Sequence, residues 1–376
     1  MERKEGISWL RVLTSTGSAK VRALKLADHL IGPLVKRRRR VPLGPAPIRR
    51  MLVIRPGGLG DAILVIPLLR ALREAFPSAS LDVVAEQRNA SAFGLVRGEI
   101  SDLILYDRPP FLRFLAEEER AYDLTVDTEQ WHWFSAFVAA RLSAGPCVGF
   151  DTRPRRSRFY TIAVPYSMQR YEAENFLELL QHLQPQRGLV FPGPGFLSIP
   201  EVHLAHAQQE TGERAAVLFI SASIRERYWP FGHWRELIKQ MVSLGFRVVL
   251  VGGRQDHQLA VDLAAGFTGY ALPRTGTSLA DTAALIAASQ VFIGADSGIL
   301  HLAYALGRPT ISFFGPGIES KWAPRGADHV VLNKHLPCSP CTLFGYTPRC
   351  DNVYCMKHIS PSDVLDALRL VLPQSL

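Results

Sequence analysis

The chain has 376 residues, enough for about two domains, and its 47% apolar and 20% charged content excludes wholesale disorder. The formal net charge of +9 is lopsided: residues 1–50 hold 13 Lys and Arg against 3 Asp and Glu, whereas the remainder holds 30 against 31. A nucleic-acid-binding fold carries its basic face on the folded body, so this near-neutral body argues against that class.

Residues 1–49 read as a basic, amphipathic extension. Within it, residues 18–36 predict one helix, with Val21, Leu24, Ala27, Leu30, Ile31, Leu34 and Val35 recurring at three- and four-residue steps. The run Lys36 to Arg40 follows, then a Pro-rich connector. Two readings stay open for this segment: an anchor on anionic lipid, worth about 1 kcal/mol per basic residue near the surface, or a solvated tail. No apolar run reaches the roughly 18 residues of a membrane span, and no apolar core precedes a small-residue cleavage site. Five cysteines do not suggest a disulfide scaffold. These features point to the reducing cytosol.

From Arg50 the pattern alternates between strands and helices. Met51–Arg55 predicts a strand, followed by a glycine turn and an apolar helix up to Phe76; Leu81–Ala85, Leu103–Tyr106 and Leu124–Asp127 predict further strands. Residues 185–200 contain four prolines and three glycines and read as a linker between a first domain, 50–184, and a second, 201–358. In the second, strands are expected at Ala216–Ile220, Arg247–Val251, Val291–Gly294 and Thr310–Phe314, and helices at His233–Leu244, Leu279–Ser289 and Ile299–Leu306. The economical architecture is α/β: two Rossmann-like, doubly wound domains facing each other across a cleft, with ligands at the carboxyl ends of the strands.

Three strand-end motifs should meet in that cleft. The first is Arg55-Pro56-Gly57-Gly58-Leu59-Gly60-Asp61, where glycines admit a close ligand and first-turn amides favour anions. As a dinucleotide fingerprint it is compressed, and the acidic residue expected on the ribose is not clear; Asp61 can also be read as a helix-start residue. The second is Ser221 to Pro230, with Ser223, Arg225 and Arg227 able to clamp a diphosphate or to decorate a surface loop. The third is Gly294 to His301, which offers the amides of Ser297 and Gly298 together with Asp296 and His301.

Taken together, Gly60-Asp61 followed by Pro67 and Leu72, Trp229-Pro230, the Asp296-Ser297-Gly298…His301 block and Gly315-Pro316 resemble the ADP-heptose:lipopolysaccharide heptosyltransferases, the inverting glycosyltransferases of family 9, over roughly residues 50–372. The resemblance implies a GT-B architecture, with acceptor bound mainly by the first domain, nucleotide sugar by the second, and a final helix (359–376) returning towards the first domain. It implies Asp61 as general base. Ser223, Arg227 (where the family usually has Lys), Asp256, Thr277, Asp296, Ser297, Gly298 and His301 would form the donor pocket, with Asp256 on the ribose hydroxyls and Thr277 near adenine. On the acceptor side, Gly58 and Gly60 are expected to meet an anionic, lipid-linked core oligosaccharide (Kdo-lipid A or a heptosyl acceptor), and Arg153, Arg155, Arg156 and Arg158 form a dense basic loop that would suit the same acceptor or is simply solvated. No catalytic metal is implied, and the place of action is the cytoplasmic face of the inner membrane, reached peripherally.

Cys338, Cys341, Cys350 and Cys355 fall within 18 residues, a clustering compatible with a structural zinc or iron site or with free thiols; Cys147 reads as a small buried hydrophobe. Competing functions are the same transfer to a protein or another glycan acceptor, and a nicotinamide-dependent oxidoreductase using the first glycine loop. The oxidoreductase reading leaves the second glycine-rich half unexplained.

Overall fold

A computed structural model describes residues 47–118, 120–342 and 347–372. The expected helix at 18–36 and the polybasic run lie outside the described residues. Two six-stranded, fully parallel sheets form the body. The first is ordered β3-β2-β1-β4-β5-β6, from β1 (Arg50–Arg55), β2 (Ser80–Ala85), β3 (Asp102–Leu105), β4 (Leu124–Asp127), β5 (Cys147–Asp151) and β6 (Ile162–Pro165). The second is ordered β12-β11-β10-β7-β8-β9, from β7 (Ala215–Phe219), β8 (Arg247–Gly252), β9 (Ala271–Thr275), β10 (Val291–Ala295), β11 (Thr310–Phe313) and β12 (His329–Leu332). The central strands β1 and β10 are buried almost throughout, as parallel strands covered on both faces must be. In both sheets the strand order reverses beside β1 or β10, and the crevice beyond such a reversal is where ligands bind in open α/β sheets.

The helices that position the site are α1 (Leu59–Leu64), α2 (Ile66–Ala75), α3 (Trp133–Leu142), α4 (Glu172–Gln181), α5 (Gly298–Ala305), α6 (Glu319–Trp322) and α7 (Pro361–Val371). Pro67 sits in the first turn of α2, where a missing N–H costs nothing. The 185–200 segment is ordered against the second lobe: the Gly195 and Leu197 amides donate to the Tyr304 and Ala305 carbonyls at 3.1 and 2.7 Å, and Phe196 and Leu197 are buried.

The final helix packs on the second lobe. α7 buries Val364, Ala367, Leu368 and Val371 in the same apolar cluster as Trp229, Trp234 and Phe313 of the second lobe, and the Trp229 indole donates to the Ile359 carbonyl at 2.9 Å. Its apolar stripe is satisfied there, on the second lobe. No helix among the described residues is long and apolar enough to cross a membrane.

Candidate functional site

The chain leaves β1 into Pro56 and Gly57, whose φ of +107° is a region that only glycine occupies without strain. This turn folds the Asp61 side chain, in the first turn of α1, back over its own entry: a Cβ on Gly58 would lie 3.2 Å from Asp61 Oδ2. Beneath the turn is Arg55, which is buried. It donates to the carbonyls of Pro56 (2.6 Å) and Thr128 (2.8 Å) and to Glu129 Oε2 (2.9 Å), and stands 3.9 Å from Asp61 Oδ1. Burial works against the Arg55 charge, but Asp61, Glu129, Glu172 and Asp127 outweigh it and raise its pKa. Burial alone would raise the Glu129 carboxyl too; His132, Arg55 and Arg156 instead pull it down to about 2. Sequence reasoning quoted Arg55 in the first motif without assigning it a task. The signal available was a strand-end Arg immediately preceding the glycine turn.

Opposite Asp61, α5 begins at Ser297, whose hydroxyl accepts from the Leu300 amide. The first turns of α1 and α5 touch: a Cβ on Gly298 would stand 2.9 Å from the Gly60 nitrogen, and one on Gly60 would stand 2.5 Å from His301 Cδ2. The two glycine motifs therefore meet across the lobes with backbone against backbone. His301 is buried against Trp322. Burial lowers its pKa, with Asp296 and Asp61 opposing, so the ring is neutral near pH 7.

Arg227 spans from its loop to Asp296, donating to the Asp296 carbonyl at 3.0 Å and ion-pairing with its carboxylate at 3.0 Å. Among the described residues, Arg227 Nε and His301 Nδ1 are buried without hydrogen-bond partners. Unpaired buried polar atoms carry a desolvation cost; here they belong to an arginine paired with Asp296 and to the histidine packed against Gly60 of the Asp61 turn.

The other residues expected at the donor are more dispersed. Ser223 is exposed just beyond β7. Asp256 is buried, and its Oδ2 is already taken by the Gly253 amide (2.8 Å) and Gln255 Nε2 (3.1 Å), so only its other oxygen remains for a ribose. Thr277 pairs with the Thr282 hydroxyl at 2.9 Å.

In the basic loop, Arg155 and Arg158 are exposed, and Arg153 lies over the Trp131 ring, 3.3 Å from its centroid. Arg156 departs from its expected part in acceptor binding. It is fully buried, donating to Asp127 Oδ2 (2.9 Å) and to the His132, Phe150 and Glu129 carbonyls. Asp127 at the end of β4 needs a cation, and Arg156 supplies it.

Cys338, Cys341, Cys350 and Cys355 lie within electrostatic range of one another. Among the described residues no three His, Cys, Asp or Glu side chains are placed to hold a metal ion. The Cys350 sulfur accepts from the Val353 amide, and Cys355 packs where a Cβ on Gly315 would fall. The segment is tied to the second lobe through Cys341 N to the Pro316 carbonyl (3.1 Å) and Cys350 N to Glu226 (3.3 Å).

This geometry can be set beside known proteins. The model of glycosyltransferase family 9 (heptosyltransferase) matches residues 115–347. The chain is 30% identical over 314 residues to lipopolysaccharide heptosyltransferase 1 of Pseudomonas aeruginosa, covering 78% of this chain and 86% of that protein. It is 29% identical over 292 residues to lipopolysaccharide heptosyltransferase 1 of Escherichia coli K12, covering 71% and 88%. The solved structure of E. coli heptosyltransferase WaaC with ADP-2-deoxy-2-fluoro heptose superposes with a TM-score of 0.67 at 23% identity, covering 85% of this chain and 99% of that one, a likeness that fixes the two-lobed GT-B fold. With this fold and that depth of sequence identity, the chain belongs to glycosyltransferase family 9, the heptosyltransferases, and is a glycosyltransferase.

Proposed function

We propose that this enzyme transfers heptose from ADP-heptose to an anionic acceptor of the lipopolysaccharide inner core, with inversion at the anomeric carbon. One observation carries the reading: the Asp61 carboxylate at the first glycine turn faces a second-lobe wall in which Arg227 Nε and His301 Nδ1 have no protein partner. The names of the relatives, lipopolysaccharide heptosyltransferase 1 among them, support the donor and acceptor classes.

In the mechanism that follows, ADP-heptose lies along the second lobe and the acceptor hydroxyl approaches from the first. Asp61 accepts the hydroxyl proton as the new bond to the anomeric carbon forms. The bond from that carbon to the diphosphate oxygen breaks on the opposite face, so one base suffices and no glycosyl-enzyme intermediate forms. The charge growing on ADP is met by Arg227, Ser223 and the amides of Ser297 and Gly298. Asp296 holds the Arg227 guanidinium, and neutral His301 presents Nδ1 to the sugar or diphosphate. Asp256 and Thr277 take the ribose and adenine. No step needs a metal. The enzyme works at the cytoplasmic face of the inner membrane, with the basic N-terminal extension as its lipid contact.

The test is ADP release with ADP-heptose and a deacylated core acceptor; no release above background overturns the reading. Two variants sharpen it. Arg153, Arg155 and Arg158, all replaced by Ala, should raise the acceptor KM at least about tenfold through lost charge-assisted contacts and leave the donor KM unchanged; an unchanged acceptor KM removes this loop from the acceptor site. Gly298→Ala should lower kcat about tenfold or more while ADP still binds, because the added methyl meets the Gly60 backbone and the lobes cannot seat at their working distance. Wild-type kcat in that variant would mean the backbone contact plays no part in catalysis.

A further inference from the structure

The lobes also meet away from the glycine turns, where α6 of the second lobe abuts the start of α4 in the first. Lys321 on α6 is almost fully buried, and its Nζ reaches across to 3.4 Å from Glu172 Oε2, on a side chain with no exposure. The ammonium also lies 4.4 Å from the Trp322 ring centroid and 5.1 Å from that of Tyr166. Glu172 is held from its own lobe by the Tyr166 hydroxyl (2.7 Å), Asn175 (3.3 Å) and the Gln130 amide. An outer pair, Arg325 to Glu174 at 3.0 Å, repeats the arrangement in solvent.

The surroundings tie this contact to the site. Gln130 follows Glu129, which Arg55 grips beside Asp61, and Trp322 next to Lys321 packs on His301. Lys321 and Gln130, which binds Glu172, are therefore each one residue along the chain from groups that touch His301 on one lobe and the Arg55–Asp61 pair on the other.

A buried ion pair gives little net stability, because desolvation offsets the attraction, but losing one partner strands a charge in an apolar interior. The closed arrangement is thus permitted only when both partners are in place, which sets the register of the lobes more than the strength of their contact. We propose that Lys321 is a positioning residue: by inserting its ammonium into the first lobe against Glu172, it pins the closed register in which the Asp61 turn and the α5 start meet. The inference rests on the transfer reading only for its link to turnover; the pinning itself does not depend on what is transferred.

Hydrogen exchange on the full chain reads closure directly, because the peptides covering 58–64 and 297–301 carry the interlobe contact. In Lys321→Met, exchange there should rise at least about tenfold while the β1 core peptide is unchanged, since opening of the lobes is a local event distinct from global unfolding. Glu172→Gln alone should also loosen these peptides, by removing the carboxylate that Lys321 reaches across the lobes. The double variant Lys321→Met with Glu172→Gln, which has neither charge, should return both exchange and kcat to within about threefold of wild type. Lys321→Arg should retain protection. ADP affinity, a property of the second lobe, should move less than about threefold in every variant, whereas kcat should fall with exchange protection. Wild-type exchange in Lys321→Met, or a double variant no better than the single ones, overturns the proposal. If instead wild-type enzyme protects these peptides as described but releases no ADP from ADP-heptose, the transfer reading fails and the pinning stands.

Discussion

Asp61→Asn is expected to lower kcat by at least about a hundredfold, the scale on which a positioned general base contributes, while ADP binds with wild-type affinity. The amide keeps the shape and the place over Gly58, so the glycine turn and the packing of α1 are preserved; what it loses is the capacity to accept the acceptor proton. Arg55, 3.9 Å from the carboxylate, also loses one of the charges that sustain it. Three buried carboxylates, Glu129, Glu172 and Asp127, continue to balance that cation, so Asn should leave folding intact, and a melting temperature within a few degrees of wild type separates lost chemistry from lost structure. The discriminating measurement is single-turnover ADP release at saturating donor and acceptor alongside ADP titration calorimetry. A variant that keeps more than about a tenth of wild-type kcat would place the base elsewhere, and the other carboxylates near the turn would then be the ones to test.

Much of this site was legible in the chain because its determinants are local. A strand, a glycine turn and a helix start in succession leave few backbone choices, so residues 50–55 and 291–305 fold nearly as their patterns predict, to within one residue at each end, whereas the single helix expected up to Phe76 is split at Val65 into α1 and α2. The strands that periodicity missed, β5, β6, β9 and β12, are short. Three of them lie at sheet edges, where half-burial blurs the apolar pattern, and Pro273 within β9 is tolerable there because an edge strand needs fewer ladder bonds. What could not be read was pairing at long range. Arg55 and Glu129 are 74 residues apart, and Lys321 meets Glu172 across the lobes; neither contact has a sequence period. The basic loop shows the limit most plainly. Four arginines in six residues look alike in sequence, but β5 and the following turn send Arg156 inward to Asp127 and leave Arg155 and Arg158 at the surface.

That division sets the second large effect. Arg156→Ala is expected to destabilise the first lobe by about 3–5 kcal/mol, the cost of stranding a buried charge. Arg155→Ala and Arg158→Ala, at exposed positions, should stay within about 0.5 kcal/mol of wild type. The loss is large because one guanidinium serves Asp127 and three backbone carbonyls at once, leaving four acceptors short of a donor. Its pH dependence identifies the origin. Burial already raises the Asp127 pKa, with Arg156 and the Tyr160 hydroxyl opposing; without Arg156 it must rise further. Above the ordinary carboxylate range the native variant then holds a proton that the unfolded chain has released, so its stability falls as pH rises. Denaturant melts should therefore show a larger Arg156→Ala deficit at pH 8 than at pH 5. A deficit of equal size at both pH values would assign the loss to the carbonyl hydrogen bonds alone, and a deficit below about 1 kcal/mol would mean that water reaches Asp127 and the β4 end is open to the cleft after all.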